Sequence, residues 1–274
     1  MIEILSYKFF QLALLAIVVV SIASAIIGTY VVSRRMVFVT GGITHASFGG
    51  LGLGFYAGIN PVLTAGAFAV ASAIGIDYLS TRSHVREDTA IGVVWALGMA
   101  LGTIFIFLTP GYVPELTSFL FGNILTVSIG DLIALVVFLV VLIAMLALFY
   151  RSIVSCAFDT DFSHTQGLPA RTINLIMTIM TALCIVLTIR LIGVMLLMSL
   201  FTMPQVIAEL RVHRFAPMMR WSVVISLLCS VTGLFLSALV GVPASATIVM
   251  LLVVVYVAVR IITAINRHAI KKRL

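Results

Sequence analysis

One imidazole stands in an unusual setting. His45 lies in Thr40-Gly41-Gly42-Ile43-Thr44-His45-Ala46-Ser47-Phe48-Gly49-Gly50, a run that otherwise reads as buried in lipid. Holding an imidazole in hydrocarbon costs free energy unless it faces a polar cavity or a partner, so His45 marks a path for a polar solute. On a helix, Gly41, His45, Phe48, Gly49 and Gly52 share one face, with Thr44 beside them. That face sets the imidazole between bare backbone and Phe48, the make-up of a pathway lining. The same glycines also suit close helix–helix contact, which Gly42, Gly49 and Gly52 fit. On the residues alone, lining and packing weigh equally for His45.

A second group of reactive side chains falls in the most polar stretch of the chain, Phe158-Asp159-Thr160-Asp161-Phe162-Ser163-His164-Thr165-Gln166-Gly167-Leu168-Pro169. Asp159 and Asp161 sit where a helix would start, favoured there by its dipole, and Gly167 and Pro169 stop it. The plain reading is a solvated turn. The functional one is a coupling loop over about residues 152–170 whose short docking helix offers Asp159, Asp161, His164, Gln166 and Gly167 to the cleft of a soluble partner. No phosphate-binding loop of the GxxxxGK[ST] type occurs, so ATP hydrolysis is not expected in this chain. Carboxylates that could couple transport to an ion gradient are scarce. Asp77 and Glu209 fall at helix ends and read as boundary acids paired with Arg82 or Arg211. Cys156, Cys184 and Cys229 have no zinc or disulfide spacing and read as small hydrophobes. Met195, Met198 and Met203, among twelve methionines, suit soft-metal ligation less than apolar filling.

The elements that must position these groups follow from composition. Hydrophobic residues make up 62% of the 274 and charged ones 9%, against about 25% charged in a soluble domain. Only a bilayer tolerates such a chain, read here as a single membrane domain over residues 1–274. Apolar runs near the roughly 20 residues that a crossing needs lie at 9–33, 38–57, 62–80, 89–109, 130–150, 172–189, 191–209, 221–240 and 246–265. The first reads as a retained span rather than a signal peptide. The pair across Arg190 is joined so tightly that one member reads as a partial helix. The fold class is therefore an all-α integral membrane protein, a polytopic bundle of eight or nine transmembrane helices. Residues 110–129 add a short outer interfacial helix, with Ser128 or Asp131 capping the next one. The net charge of +7 is not a nucleic-acid surface. Arg34, Arg35, Arg82, Arg86, Arg151, Arg171, Arg211, Arg214, Arg220, Arg267, Lys271, Lys272 and Arg273, with Arg260 near the boundary, all fall on one side, and only Lys8 and Arg190 fall opposite. This asymmetry predicts an outside amino terminus and an inside carboxyl terminus.

The ordered motifs resemble those of the membrane permeases of bacterial ATP-binding-cassette importers for zinc, manganese and iron, over nearly the full length. Arg34-Arg35-Met36 followed by Thr44-His45-Ala46 is similar to that family's signature across its first two helices. Glu87-Asp88-Thr89-Ala90-Ile91-Gly92, Ala100-Leu101-Gly102 and Leu120-Phe121-Gly122-Asn123-Ile124-Leu125 resemble its middle motifs. Phe158-Asp159 to Gly167-Leu168-Pro169 looks like its coupling loop, and Ile192-Gly193-Val194-Met195-Leu196-Leu197 through Met203-Pro204 and Ala208 like its late re-entrant region. The resemblance implies a homodimeric permease of the bacterial cytoplasmic membrane with its pore on the two-fold axis. It also implies separate ATPase subunits that carry the ATP, an extracytoplasmic solute-binding protein, and zinc, manganese or iron as cargo, zinc first. His45 would be the metal contact. Gly41 and Gly241 stand where relatives carry acids, so further donors would be Thr44, Ser47, backbone carbonyls and water. The competing readings are a gradient-driven carrier or channel that works without an ATPase, and a membrane scaffold.

Overall fold

The computed structural model describes residues 6–81, 85–111 and 116–271; Arg82, Pro114, Glu115, Lys272 and Arg273 lie outside them. The described residues form ten α-helices and one 3-10 turn, and no strand. Helices α1 (Lys8–Ser33), α2 (Val37–Ala57), α3 (Pro61–Thr81) and α4 (Glu87–Leu108) alternate in direction. Then come the short α5 (Leu116–Phe121), the 3-10 turn (Ile124–Thr126), α6 (Ile129–Phe158) and the short α7 (Thr160–Thr165). The chain ends in α8 (Ala170–Glu209), α9 (Phe215–Val240) and α10 (Ala244–Lys271). Lipid forces this outcome, because every backbone amide in hydrocarbon must be satisfied within its own segment.

Among the described residues, seven helices are long and apolar enough to cross a membrane: α1, α3, α4, α6, α8, α9 and α10. The sequence predicts eight or nine spans, and two features make the difference. Helix α2 has 21 residues, enough to cross, but its six glycines, His45 and hydroxyl residues make it less apolar than the others. Its neighbours, rather than lipid, enclose it. Helix α8 has 40 residues and would measure about 60 Å if straight, twice a bilayer core.

Helix α8 is not straight. Gly193 has φ 73° and ψ 167°, far from helical. Before that break the Tyr30 hydroxyl donates to Asn174 Oδ1 at 3.2 Å, and after it Gln205 Nε2 donates to the Ala25 carbonyl at 3.3 Å. Tyr30 and Ala25 are about 8 Å apart along α1, whereas a straight α8 would separate Asn174 from Gln205 by about 46 Å. The chain therefore turns back at Gly193, and residues 170–192 and 194–209 lie antiparallel. The runs expected at 172–189 and 191–209 are the two arms of this hairpin.

Helices α1 and α8 occupy the centre. Along α1, Ala13, Ala16, Ser21, Ala23, Ser24, Ala25 and Gly28 are buried, and small residues let backbones approach where lipid gives no hydrophobic drive. Ser226 of α9 donates to the Ser21 carbonyl across that seam at 3.2 Å. Pro204 lies inside the second arm of α8 and has no N–H for the Leu200 carbonyl one turn back. Gln205 supplies the missing donor: its Nε2 reaches Leu200 O at 3.3 Å as well as Ala25 O of α1. All three cysteines are free and buried, consistent with their role as small hydrophobes.

Glycines on α2 let it lie against α3 and α4 almost backbone to backbone. A Cβ on Gly49 would stand 2.8 Å from Gly98 O, one on Gly52 2.6 Å from Gly102 O, and one on Gly42 2.7 Å from an Ile91 methyl. Gly98 in turn faces the backbone of Ala46. We expect Gly98→Leu to push α4 off α2 and lower stability by about 1–3 kcal/mol, the usual cost of overpacking. Thermal unfolding in detergent checks this; an unchanged midpoint would show that the helices can separate freely.

Among the described residues Arg34, Arg35, Arg86, Arg171, Arg211 and Arg214 lie at helix ends that the alternation puts on one side of the bundle, called here the basic end. At the far end, Ser128 and Asp131 form a capping box on α6, and Asp131 makes the ion pair of the described residues with Arg190, at 3.7 Å. The expected pairing of Glu209 with Arg211 does not form. Glu209 instead borders a basic-end cavity with Arg34, Arg35 and His213. Asp77 borders a second such cavity with Arg35 and Arg171.

Candidate functional site

His45 is half-buried, and its ring stacks on Trp95 of α4 with centroids 4.2 Å apart and planes 7° from parallel. The close glycine packing of α2 on α4 brings these two rings together. Trp95 is 38% exposed, and Val93, Leu97 and Ile104 on the same helix are more exposed still. The imidazole thus lies beside a face of α4 that stays exposed among the described residues.

The other residues predicted to share its face are turned inward. The Thr44 hydroxyl donates to the Thr40 carbonyl at 2.6 Å and touches Met198 Sδ at 3.9 Å. A side chain on Gly41 would begin 3.6 Å from the Met198 methyl. Ser47 donates to the Thr44 carbonyl at 2.7 Å, so both hydroxyls are engaged by their own helix. Phe48 is buried with its ring centroid 5.1 Å from that of Phe119, and it borders a far-end cavity of about 460 Å³ together with Asn60, Asn123 and Arg190. One α2 face therefore serves two purposes, internal packing for Gly41, Thr44 and Phe48 and an outward imidazole at His45. Among the described residues no group of three or more His, Cys, Asp and Glu could hold a metal ion. Zinc takes about four ligands, so His45 by itself does not make a chelating site.

The polar stretch at the basic end folds as a tight elbow. Asp159 ends α6 and caps α7, its Oδ1 accepting from the Phe162 amide at 2.8 Å. The Ser163 hydroxyl is buried between the Asp159 carbonyl at 2.7 Å and the Ser155 hydroxyl at 2.8 Å. Gly167, at φ 74°, closes the far side, its amide donating to the His164 carbonyl at 3.0 Å. Asp161, His164, Gln166 and Gly167 are exposed, so the five residues predicted for partner contact meet on one projection, with the Asp159 carboxylate partly used as a cap. Phe158 and Phe162 add large apolar surface there, 60% and 55% exposed. Sequence reasoning passed over them; two phenylalanines four residues apart in an otherwise polar turn were the available signal. One terminal nitrogen of Arg34, at the end of α1, reaches into the elbow and donates to the Cys156 carbonyl at 3.2 Å and the Thr160 hydroxyl at 3.1 Å.

A bundle of apolar helices with a rigid polar elbow at its basic end defines a polytopic α-helical membrane protein. The chain belongs to the ABC 3 transport family, whose model matches residues 6–263. It is similar to the manganese transport system membrane protein MntC of Listeria monocytogenes, at 26% identity over 92% of this chain and 90% of that one. It is also similar to the high-affinity zinc uptake system membrane protein ZnuB of Haemophilus influenzae, at 26% identity over 86% of this chain and 91% of that one. Among solved structures, PsaBC from Streptococcus pneumoniae in complex with Fab superposes with a TM-score of 0.84 at 26% identity, covering 94% and 93% of the two chains. The chain is a membrane permease subunit of the ATP-binding-cassette class.

Proposed function

We propose that this permease imports a divalent transition-metal ion, zinc ahead of manganese or iron, by alternating access driven by a separate ATPase. The observation that carries the reading is the elbow of residues 156–169, which holds exposed Phe158, Phe162, Asp161 and His164 in one fixed arrangement on a chain with no nucleotide-binding loop. Two ATPase copies take these elbows into clefts, and ATP remains in those subunits, so this chain is not itself an enzyme. The basic end faces the cytoplasm, which places the amino terminus outside and the carboxyl terminus inside a bacterial cytoplasmic membrane. A second copy of the chain covers the open face of α4, bringing two His45 rings toward a shared axis. There the ion meets imidazole and water rather than a full protein cage, which suits passage more than storage. An extracytoplasmic binding protein delivers the ion to the far end, near Asn60-Pro61 and residues 110–117 and 241–245. Lipid surrounds the rest, and no nucleic acid takes part.

The test is uptake of radioactive zinc and manganese into vesicles that contain the permease with its ATPase and binding protein. ATP-dependent accumulation that falls at least tenfold in His45→Ala is the expected result. Equal flux without the ATPase would establish a carrier or channel instead.

A further inference from the structure

The positive charges at the ends of membrane helices ordinarily serve as topology anchors, free in the headgroup layer. Arg34 is held differently. It lies half-buried at the end of the central helix α1, and its Nη1 makes two hydrogen bonds, to Cys156 O at the end of α6 and to Thr160 Oγ1 at the start of α7. Among the described residues these are the side-chain hydrogen bonds that join the elbow to α1; its remaining side-chain bonds stay within residues 155–165 of α6 and α7. Arg34 and Thr160 both border two basic-end cavities, of about 510 and 460 Å³.

The backbone around Arg34 is stiff. Its amide caps α1 on the Tyr30 carbonyl at 2.9 Å, and the Met36 amide returns to Val31 O at 2.9 Å. Arg35 occupies the left-handed region at φ 58°, uncommon outside glycine, so this turn is held in one conformation. The three-residue turn then leads directly into α2, which carries His45 two turns on.

We propose that Arg34 is the positioning residue that transmits displacement of the elbow to the α1–α2 pair. A push on α7 moves the Cys156 carbonyl and the Thr160 hydroxyl. The guanidinium, bonded to both through one planar terminal nitrogen, carries that movement into the α1–α2 turn. The inference rests on the elbow being where the ATPase docks, and the experiment separates the two claims.

The assembled permease–ATPase complex is reconstituted in vesicles, and three quantities are read: ATPase retained on purification, ATP hydrolysed, and ion moved per ATP. For Arg34→Ala we expect retention and hydrolysis within twofold of the parent and transport per ATP reduced at least tenfold. Arg34→Lys, which can reach one acceptor, should restore part of the ratio. Arg35→Ala, which removes the same charge without touching the elbow, should leave it unchanged. Thr160→Val, which removes one acceptor with little change of shape, should lower the ratio even if Arg34→Ala fails to fold. Hydrolysis and transport that fall together, an unchanged ratio in both Arg34→Ala and Thr160→Val, or equal losses in Arg35→Ala would overturn the proposal. Failure of the parent permease to retain any ATPase would instead sink the docking assignment.

Discussion

Replacing Gly193 with alanine is expected to collapse the far end of the bundle. The residue sits at φ 73° and ψ 167°, a region that side-chain-bearing residues reach only at about 1–3 kcal/mol of strain. An added Cβ would also run into the backbone of Leu120, Phe121 and Gly122. The opposing Gly122, itself at φ 64°, faces the backbone of residues 191–193 in the same way. Backbone cannot rotate aside as a flexible side chain can, so about 1–3 kcal/mol of overpacking adds to the strain. The sum of about 2–6 kcal/mol is a large share of the roughly 5–15 kcal/mol that holds a protein folded. In detergent the melting midpoint should fall by roughly 5–20 °C. Gly75→Ala is the matched control, since nothing lies within 4 Å of a Cβ there, and it should not lower the midpoint. A Gly193→Ala midpoint within about 2 °C of the parent would mean that the reversal is not where the fold is strained.

The second large effect is expected from Phe162→Asp at the elbow. Phe162 is 55% exposed, so its replacement costs the isolated permease little. If the side chain enters an ATPase cleft, its burial contributes about 1.5–3 kcal/mol, and a carboxylate in its place must be desolvated besides. Retention of the ATPase should therefore weaken by about 10–100-fold, with transport lost in proportion, while the melting midpoint of the permease alone holds. Asp161→Lys should act in the same direction but less strongly, because a charge at the rim of an interface is well solvated. Full retention of the ATPase by Phe162→Asp would remove the elbow from the interface. Phe158 makes a poorer probe, because its ring also meets Phe215 within the permease, with centroids 6.4 Å apart.

The sequence makes the crossing segments readable because lipid enforces them locally: apolar length and the sidedness of Arg and Lys depend on no distant contact. The elbow was readable for the same reason, as Asp159 and Gly167 are start and stop signals within one turn. What escaped was whatever joins residues far apart. Gly193 in an apolar run looks like any packing glycine, and only its meeting with Gly122 reveals a reversal. Trp95 comes fifty residues after His45, and nothing in either segment says that their rings stack. The face shared by Gly41, Thr44 and Phe48 was visible as a face, but which neighbour covers it depends on where the second arm of α8 puts Met198. Arg34 was legible as a charge on the basic side and as part of a family-like motif, but not as a link to the elbow. Its hydrogen bonds depend on the elbow lying within reach, which sidedness does not encode.

The proline in the second arm of α8 has a mechanical consequence. A single carboxamide, that of Gln205, occupies carbonyls on two helices at once, Leu200 on its own and Ala25 on α1. Sliding one helix past the other would leave the Ala25 carbonyl with the Thr29 hydroxyl but strand a buried Gln205 N–H in a medium with no water to take its place, at several kcal/mol. The two therefore travel as one stiff strut. Rocking that admits and releases cargo then falls to other joints, such as the contacts of α2 with α4, where Gly49 and Gly52 meet Gly98 and Gly102 backbone to backbone.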